Sequence, residues 1–427
     1  MNTLNRVIPP EAKAIQNVRL NTPEHNQLSN GLDLYTYSAG TQEVVKIELV
    51  FEAGSSSNDN PLIPGFAVSM LSEGTSSKSA IQIAEAIDDY GAFLETDLGK
   101  DFTSVTLITL SRFLPETLPV LIDVIRNSTI PEREFEIKRT NRKQKYLVGL
   151  EKVGFVAGKR FQEILFQSTG YGATFNENSY DQLNRQDVLD FYQKNFKNSP
   201  FRIYMSGFLS IRDLDIVKTE FSTLSNFKIN HADTAYSSID VIKPIKEIIT
   251  RDNAMQSAVR IGRKLFTRAH PDYFGMKVLC TILGGYFGSR LMTNIREDKG
   301  YTYGIGAGMV AMNNDGYFYI STEVGVDVCA DAISEIYKEI EQLQKSAVLE
   351  TELNLVKNYM LGSLLKSFEG PFERMERFKL VHLHGFDVNY YEDYSDAIRS
   401  TSASQLLGLA NKWLKKEDLV ELVVGKK

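Results

Sequence analysis

The sequence predicts an α+β fold built as two tandem homologous domains, each a mostly antiparallel sheet with helices packed on one face. Three observations carry this expectation. Val45, Ile47, Leu49 and Phe51 interleave with Lys46, Glu48, Val50 and Glu52, the alternation of a half-buried strand rather than the unbroken apolar run of a doubly wound sheet. The order of predicted elements runs once and then begins again at an offset of about 210 to 220 residues, far beyond the period of a solenoid repeat. A polar stretch without periodicity, Ser222 to Lys246 with Pro244 inside it, separates the two runs and has the character of a domain boundary. The predicted organisation is a first domain over 1–221, a linker over 222–246 and a second domain over 247–427.

Element by element, the first forty residues are polar, with Pro9-Pro10 and Asn30-Gly31 as turn signals. After the strand through Phe51, Gly54 to Asn60 is a small polar loop. Pro64 opens a short helix through Met70 and Leu71, and Gly74 closes it. Ala80 to Tyr90 is a second helix, ended by Gly91. Phe102 to Leu110 is rich in Thr, Val and Ile and reads as a strand. Leu118, Leu121, Ile122 and Ile125 fall on one helix face. Pro131 begins a long charged helix to about Val148, followed by helices over Phe155–Phe166 and Gln186–Phe196 and a strand over Phe201–Met205. The pattern restarts with a strand at Val259 and Ile261. A helix from Tyr273 to Leu283 follows, ended by Gly284-Gly285. Gly316, Phe318, Ile320, Thr322 and Val324 alternate as a strand, Ile333 to Leu343 is an amphipathic helix, and a charged helix begins near Leu349. Gly74-Thr75 thus lies over Gly284-Gly285, and Ile130–Phe135 over Val348–Leu353.

Composition sets the function classes aside. Over 427 residues, 43% are hydrophobic and 24% charged, ordinary for a globular chain. A net charge of −6 without a basic cluster argues against nucleic acid. Cys280 and Cys329 are the only cysteines, too few for a disulfide framework or a cysteine metal site. Met1 to Leu20 has no apolar segment of a signal peptide and no run is long enough to span a membrane. The expectation is a cytoplasmic protein with no membrane partner.

The most informative stretch is Gly284 to Tyr303, GGYFGSRLMTNIREDKGYTY. Two glycines break the chain, a short amphipathic helix follows, and Arg296 stands seven residues before Tyr303 beyond a turn at Gly300. The stretch resembles the signature of the C-terminal half of the pitrilysin/insulinase zinc metallopeptidases, the inverzincins, which include the mitochondrial processing peptidases. The resemblance extends through Phe51–Ser55, Gly74-Thr75, Tyr171-Gly172 and Leu183–Tyr192, and so covers nearly the whole chain. It implies that Arg296 and Tyr303 reach across a cavity and hold a peptide at a zinc site. It also implies an H-x-x-E-H on the first helix, two histidines one turn apart binding zinc and a glutamate activating water.

Here the three positions fall on Gly65, Val68 and Ser69. The chain's five histidines are His25, His231, His270, His382 and His384, so no register places two ligands on that helix. The distal ligand, a glutamate in the family, falls near Lys143 to Tyr146, where no carboxylate stands, and Glu136 and Glu151 flank it too far away. A catalytic zinc needs three protein ligands. The resemblance therefore points to the non-catalytic member of a two-component peptidase. Such a chain holds no cofactor itself and donates Arg296 and Tyr303 to a zinc site in an H-x-x-E-H-bearing paralogous partner, as a heterodimer, or forms a homodimer alone. A structural or peptide-binding protein of the same fold is the alternative.

Plainer readings stand beside these. Arg296 and Tyr303 read equally as a surface arginine and a packed tyrosine. Gly284, Gly285 and Gly288 are either a shortened substrate-guiding loop or a helix stop; they follow a helix, so the dinucleotide fingerprint fails. Gly304-x-Gly306-x-Gly308 lets a strand pass close to another backbone. His382 and His384 share a strand face but not a helix face. Lys138, Arg139, Arg142, Lys143 and Lys145 form either a solvated helix face or a surface for an acidic partner.

Overall fold

The computed structural model describes residue 15 and residues 18–167, 169–224 and 245–427. The expected linker, 222–246, therefore falls largely outside the described residues.

The first half runs β1 (Glu24–Gln27), β2 (Asp33–Ser38), β3 (Val44–Phe51), α1 (Leu62–Ser69), α2 (Ala80–Asp88), β4 (Phe93–Leu98) and β5 (Thr103–Leu110). It continues with α3 (Leu114–Asn127), α4 (Glu132–Leu150), α5 (Val153–Phe166), α6 (Glu177–Asp181), α7 (Arg185–Tyr192), β6 (Arg202–Gly207) and α8 (Ile211–Ser222). The second half runs β7 (Lys246–Thr250), β8 (Gln256–Leu265), α9 (Tyr273–Cys280), β9 (Thr302–Ala311), β10 (Gly316–Gly325), α10 (Cys329–Lys345) and α11 (Glu350–Lys366). It ends with α12 (Gly370–His382), α13 (Tyr390–Ser400), α14 (Ala403–Trp413) and β11 (Val420–Gly425).

The strand order β2-β6-β3-β5-β4 in one sheet, with β1 added at its edge, repeats as β7-β11-β8-β10-β9 in the other. In each, one parallel pair (β2 with β6, β7 with β11) joins an otherwise antiparallel sheet. The duplicated α+β architecture read from the repeat is present. Each half has its own apolar core. Val45, Ile47, Leu49 and Phe51 are fully buried against α1, α3 and α7, and Val259, Ile261, Phe318 and Ile320 against α9 and α10.

The opposite sheet faces show what polarity alone does not reveal. Lys46, Glu48 and Val50 face away from their own helices, where alternation predicts solvent. Instead α12, from the other half, lies across β2 and β6 there. Phe378, Met375 and Val381 pack on Tyr35, Tyr204 and Val50. The charged residues of β3 are matched across the seam: Lys379 Nζ meets Glu48 at 2.6 Å, and Lys46 donates to Glu376. The exchange is reciprocal. Helix α5, from the first half, lies on β8 and β11, with Phe161, Ile164 and Phe166 against Ala258, Val420, Leu422 and Val424. Arg160 adds a two-pronged ion pair to Glu247 of β7, both contacts 2.8 Å. Strands β6 and β11 are consequently buried along their whole length. Among the described residues no helix is long and apolar enough to cross a membrane.

Candidate functional site

Helix α1 is set by the loop before it. The Asn60 side-chain oxygen accepts from the Leu62 N–H, and the helix runs LIPGFAVS to Ser69. Val68 is turned into the core at 4% exposure, and the Ser69 hydroxyl donates back to the Phe66 carbonyl. Gly65 has no side chain, and the space beside it is taken from α4. A Cβ built on Gly65 would sit 3.3 Å from Arg142 Nη1 and 3.7 Å from Leu98.

The Arg142 guanidinium carbon lies over Phe66, 4.7 Å from the ring centre. It is half-buried, and burial lowers its pKa from the usual arginine range. Two of the three degenerate positions thus carry no ligating atom, the third uses its hydroxyl on the backbone, and a guanidinium stands against the first. A zinc ion does not fit this donor set, since a fixed cation beside it repels a second. Among the described residues no group of three His, Cys, Asp or Glu side chains converges as a metal site. Where the distal ligand was sought, Lys143 pairs with Asp181 and Glu177, and the Tyr146 hydroxyl donates to the Phe175 carbonyl.

The basic run on α4 is therefore more than a solvated face. Lys138 reaches the Ser69 carbonyl and Glu73, Arg139 pairs with Glu136, and Lys143 with Asp181. Arg142 has no carboxylate partner among the described residues. In the sequence Arg142 stands only as one member of the basic run, and its place against Gly65 appears in the fold.

In the second half the GG…R…Y stretch folds as a unit. Beyond α9 the chain widens into a π-type turn over Thr281–Gly285. Gly284 is required there: a Cβ would meet the Ala307 backbone nitrogen at 2.5 Å, so the turn packs directly on β9. Gly285 and Gly288 border Cys280, Thr281 and the Tyr286 ring. These contacts are those of a helix stop packed on a strand. The short helix carrying Arg296 is anchored by Leu291 and Ile295, both fully buried. Arg290 holds Glu352 of α11 through two 2.8 Å contacts, and Asn294 donates to Glu335 and Glu339 of α10. Gly300, at φ +65°, makes the turn into β9.

The seven-residue spacing does bring Arg296 and Tyr303 together. Arg296 Nε–H donates to the Tyr303 backbone carbonyl at 2.9 Å. The guanidinium lies 4.6 Å from the Phe287 ring centre and 5.9 Å from that of Tyr303. The Tyr303 ring is 94% exposed, standing free at the start of an edge strand.

Of the three glycines in β9, Gly308 makes room for the Tyr319 side chain, whose hydroxyl would lie 3.1 Å from a Cβ there, rather than for a backbone, Gly306 faces the Gly284 carbonyl at 3.7 Å, and Gly304 borders open space. His382 and His384 end apart. His382 Nδ1 meets the Tyr204 hydroxyl at 2.8 Å, whereas His384 Nδ1 faces the Leu380 carbonyl at 2.7 Å, its pKa lowered by burial to about 4.

Comparison with known proteins gives two family matches along the chain. A family profile described as insulinase (peptidase family M16) matches residues 35–172, and one described as peptidase M16 inactive domain matches 182–360. An uncharacterised zinc protease of Bacillus subtilis is 25% identical over 82% of this chain and 85% of its own. The mitochondrial-processing peptidase subunit beta of Bos taurus is 26% identical over 86% of this chain and 76% of its own. Among solved structures, a peptidase M16 inactive domain from Pseudomonas fluorescens superposes with a TM-score of 0.85 at 20% identity, covering 95% of this chain and 98% of that one. A protease from Helicobacter pylori gives 0.84 at 17% identity, covering 94% and 99%. At these identities the two structures bear on the fold alone.

Proposed function

The chain belongs to the M16 (insulinase) peptidase family, and from that premise we propose that it is a non-catalytic, peptide-binding subunit of a two-component zinc peptidase. One contrast carries the reading. The zinc-binding positions Gly65, Val68 and Ser69 hold no ligand set, while Arg296 and Tyr303 are kept and are folded into contact. A chain that had lost the whole reaction has no reason to keep a phenol standing free beside an arginine.

In this reading a paralogous partner with H-x-x-E-H supplies the zinc and the activated water. The residues of this chain then bind and polarise. The Tyr303 hydroxyl donates to the peptide oxygen that gains negative charge, and the Arg296 nitrogens not used on the Tyr303 carbonyl hold a neighbouring carbonyl. Peptide main chain has places to dock. β4 and β9 are free sheet edges, and an extended peptide adds to such an edge through backbone hydrogen bonds.

The test is reconstitution with an H-x-x-E-H-bearing paralogue and a peptide substrate. Tyr303→Phe in this chain is expected to lower turnover by roughly a hundredfold to a thousandfold, the range for one oxyanion donor, with assembly and the partner's zinc content unchanged. Full activity in a Tyr303→Phe, Arg296→Ala double variant would overturn the assisting role. The second reading, a peptide-binding or structural protein without catalysis, draws on Arg296 Nε being spent within the motif. Under it the complex shows no hydrolysis that depends on this chain.

A further inference from the structure

We propose that the degenerate metal position is an anion site, in which Arg142 recognises a carboxylate of a bound peptide where family members hold a cation. The inference rests on the peptide-binding reading above and adds to it the chemistry of one contact.

Four observations converge on Arg142. Its Nη1 lies 3.3 Å from where a Cβ on Gly65 would sit, so the residue at the first of the three positions offers it no side-chain acid. Its guanidinium carbon lies 4.7 Å from the Phe66 ring centre, a cation–π contact that uses a face of the ring and supplies no counter-charge. Lys138, Arg139 and Lys143 on the same helix each have a carboxylate, and Arg142 has none among the described residues. Lastly, Leu98, the final residue of the free edge strand β4, borders the same spot. A peptide laid along β4 would bring a residue or its terminus beside the guanidinium.

A half-buried arginine without a counter-charge is poorly solvated, and its pKa is lowered for that reason. A carboxylate relieves the deficit through two parallel N–H···O bonds, for which a planar fork is suited. Two sources share this chemistry, a peptide's C-terminus and an acidic side chain, and the experiment separates them.

The full-length chain, labelled with 15N-arginine, is titrated with short blocked peptides. The Arg142 Nε–H signal is identified by its loss in Arg142→Gln. One arm compares acetyl-trialanine as free acid and as amide. Another compares acetyl-Ala-Glu-Ala-amide with its Gln counterpart, and a third uses acetate alone. The expected result is a shift of the Arg142 signal by at least one acidic form, bound about tenfold to a hundredfold more tightly than its neutral counterpart, the range for a hydrogen bond to a charged group. The arm that responds names the source. The neutral forms leave the signal in place.

An equal response to acid and neutral forms, or none to either, overturns the site. So does acetate binding as tightly as the peptides, which would mean an adventitious ion only. The outcome is independent of proteolysis: an acid-selective shift in a chain whose reconstituted pair ignores Tyr303→Phe would keep the anion site and discard the assisting role. Turnover that needs Tyr303, with no acid preference at Arg142, would do the reverse.

Discussion

Lys379→Met probes the seam between the halves. Glu48 is 4% exposed, and Lys379 contacts it at 2.6 Å. Lys46 adds only a 3.7 Å contact to Glu48 and is itself shared with Glu376. Removing one partner of a buried pair costs about 3–5 kcal/mol because the other charge stays buried and uncompensated. Because Lys46 remains, the estimate sits at the low end, about 3 kcal/mol. That is roughly a hundredfold in the equilibrium for lifting α12 off the sheet. Hydrogen exchange read by mass spectrometry measures it directly. Amides of α12, β2 and β6 should exchange roughly a hundredfold faster, while those of α10 and α14 keep their protection. The double variant Glu48→Gln, Lys379→Met removes both charges and should recover most of the loss, since the cost lies in the stranded carboxylate. Unchanged exchange in Lys379→Met, or a double variant as fast as the single one, would refute this account of the seam.

The same network predicts an acid response. Burial opposes the Glu376 charge, but Lys379 and Lys46 outweigh it and hold its pKa at about 2, below the usual 4.5. A depressed folded pKa gives stability that is complete above the ordinary value and lost as pH falls through the folded one. Thermal midpoints should therefore fall more steeply between pH 4.5 and 2 in the wild type than in Glu376→Gln, and equal slopes would exclude the assignment. Gly284→Ala places a methyl 2.5 Å from the Ala307 nitrogen and should cost about 1–3 kcal/mol, whereas Gly304→Ala, facing open space, should be close to neutral in a thermal melt. After dialysis against zinc, elemental analysis of the purified chain should find far less than stoichiometric metal; a stoichiometric, chelator-sensitive content would contradict the donor-set argument at Gly65, Val68 and Ser69.

Much of this was legible in the sequence where burial follows periodicity. The alternation from Val45 to Phe51 marks the inner face of β3 correctly, and the restart after the polar stretch gives the second sheet. Spacing was also enough to bring Arg296 to Tyr303, because a helix turn, a left-handed glycine and a strand leave little choice. Other features have no local signature. Phe161 and Phe166 read as an ordinary amphipathic helix, and nothing in their spacing says which sheet they cover. Glu48 and Lys46 read as solvent-facing because charge at a strand position normally means water, and the residues that bury them lie more than three hundred positions later in the chain. The start of α1 was placed at Pro64, two residues late, because the Asn60 contact that begins it is a side-chain bond without period. Arg142 is one cation in a row of five, and its nearness to Gly65 and Phe66 has no signature in the spacing.

The crossing of α5 and α12 has a bearing on ancestry. Each half lends one helix to the other's sheet and receives the equivalent helix in return, the self-complementary relation of an isologous twofold dimer with exchanged elements. Read backwards, the pair describes two identical single-domain subunits that swapped a helix before their genes were joined. Once fused, the two copies no longer had to be alike. The seam holds together a first half with Gly65, Val68 and Ser69 on its first helix and a second half that carries Arg296 and Tyr303.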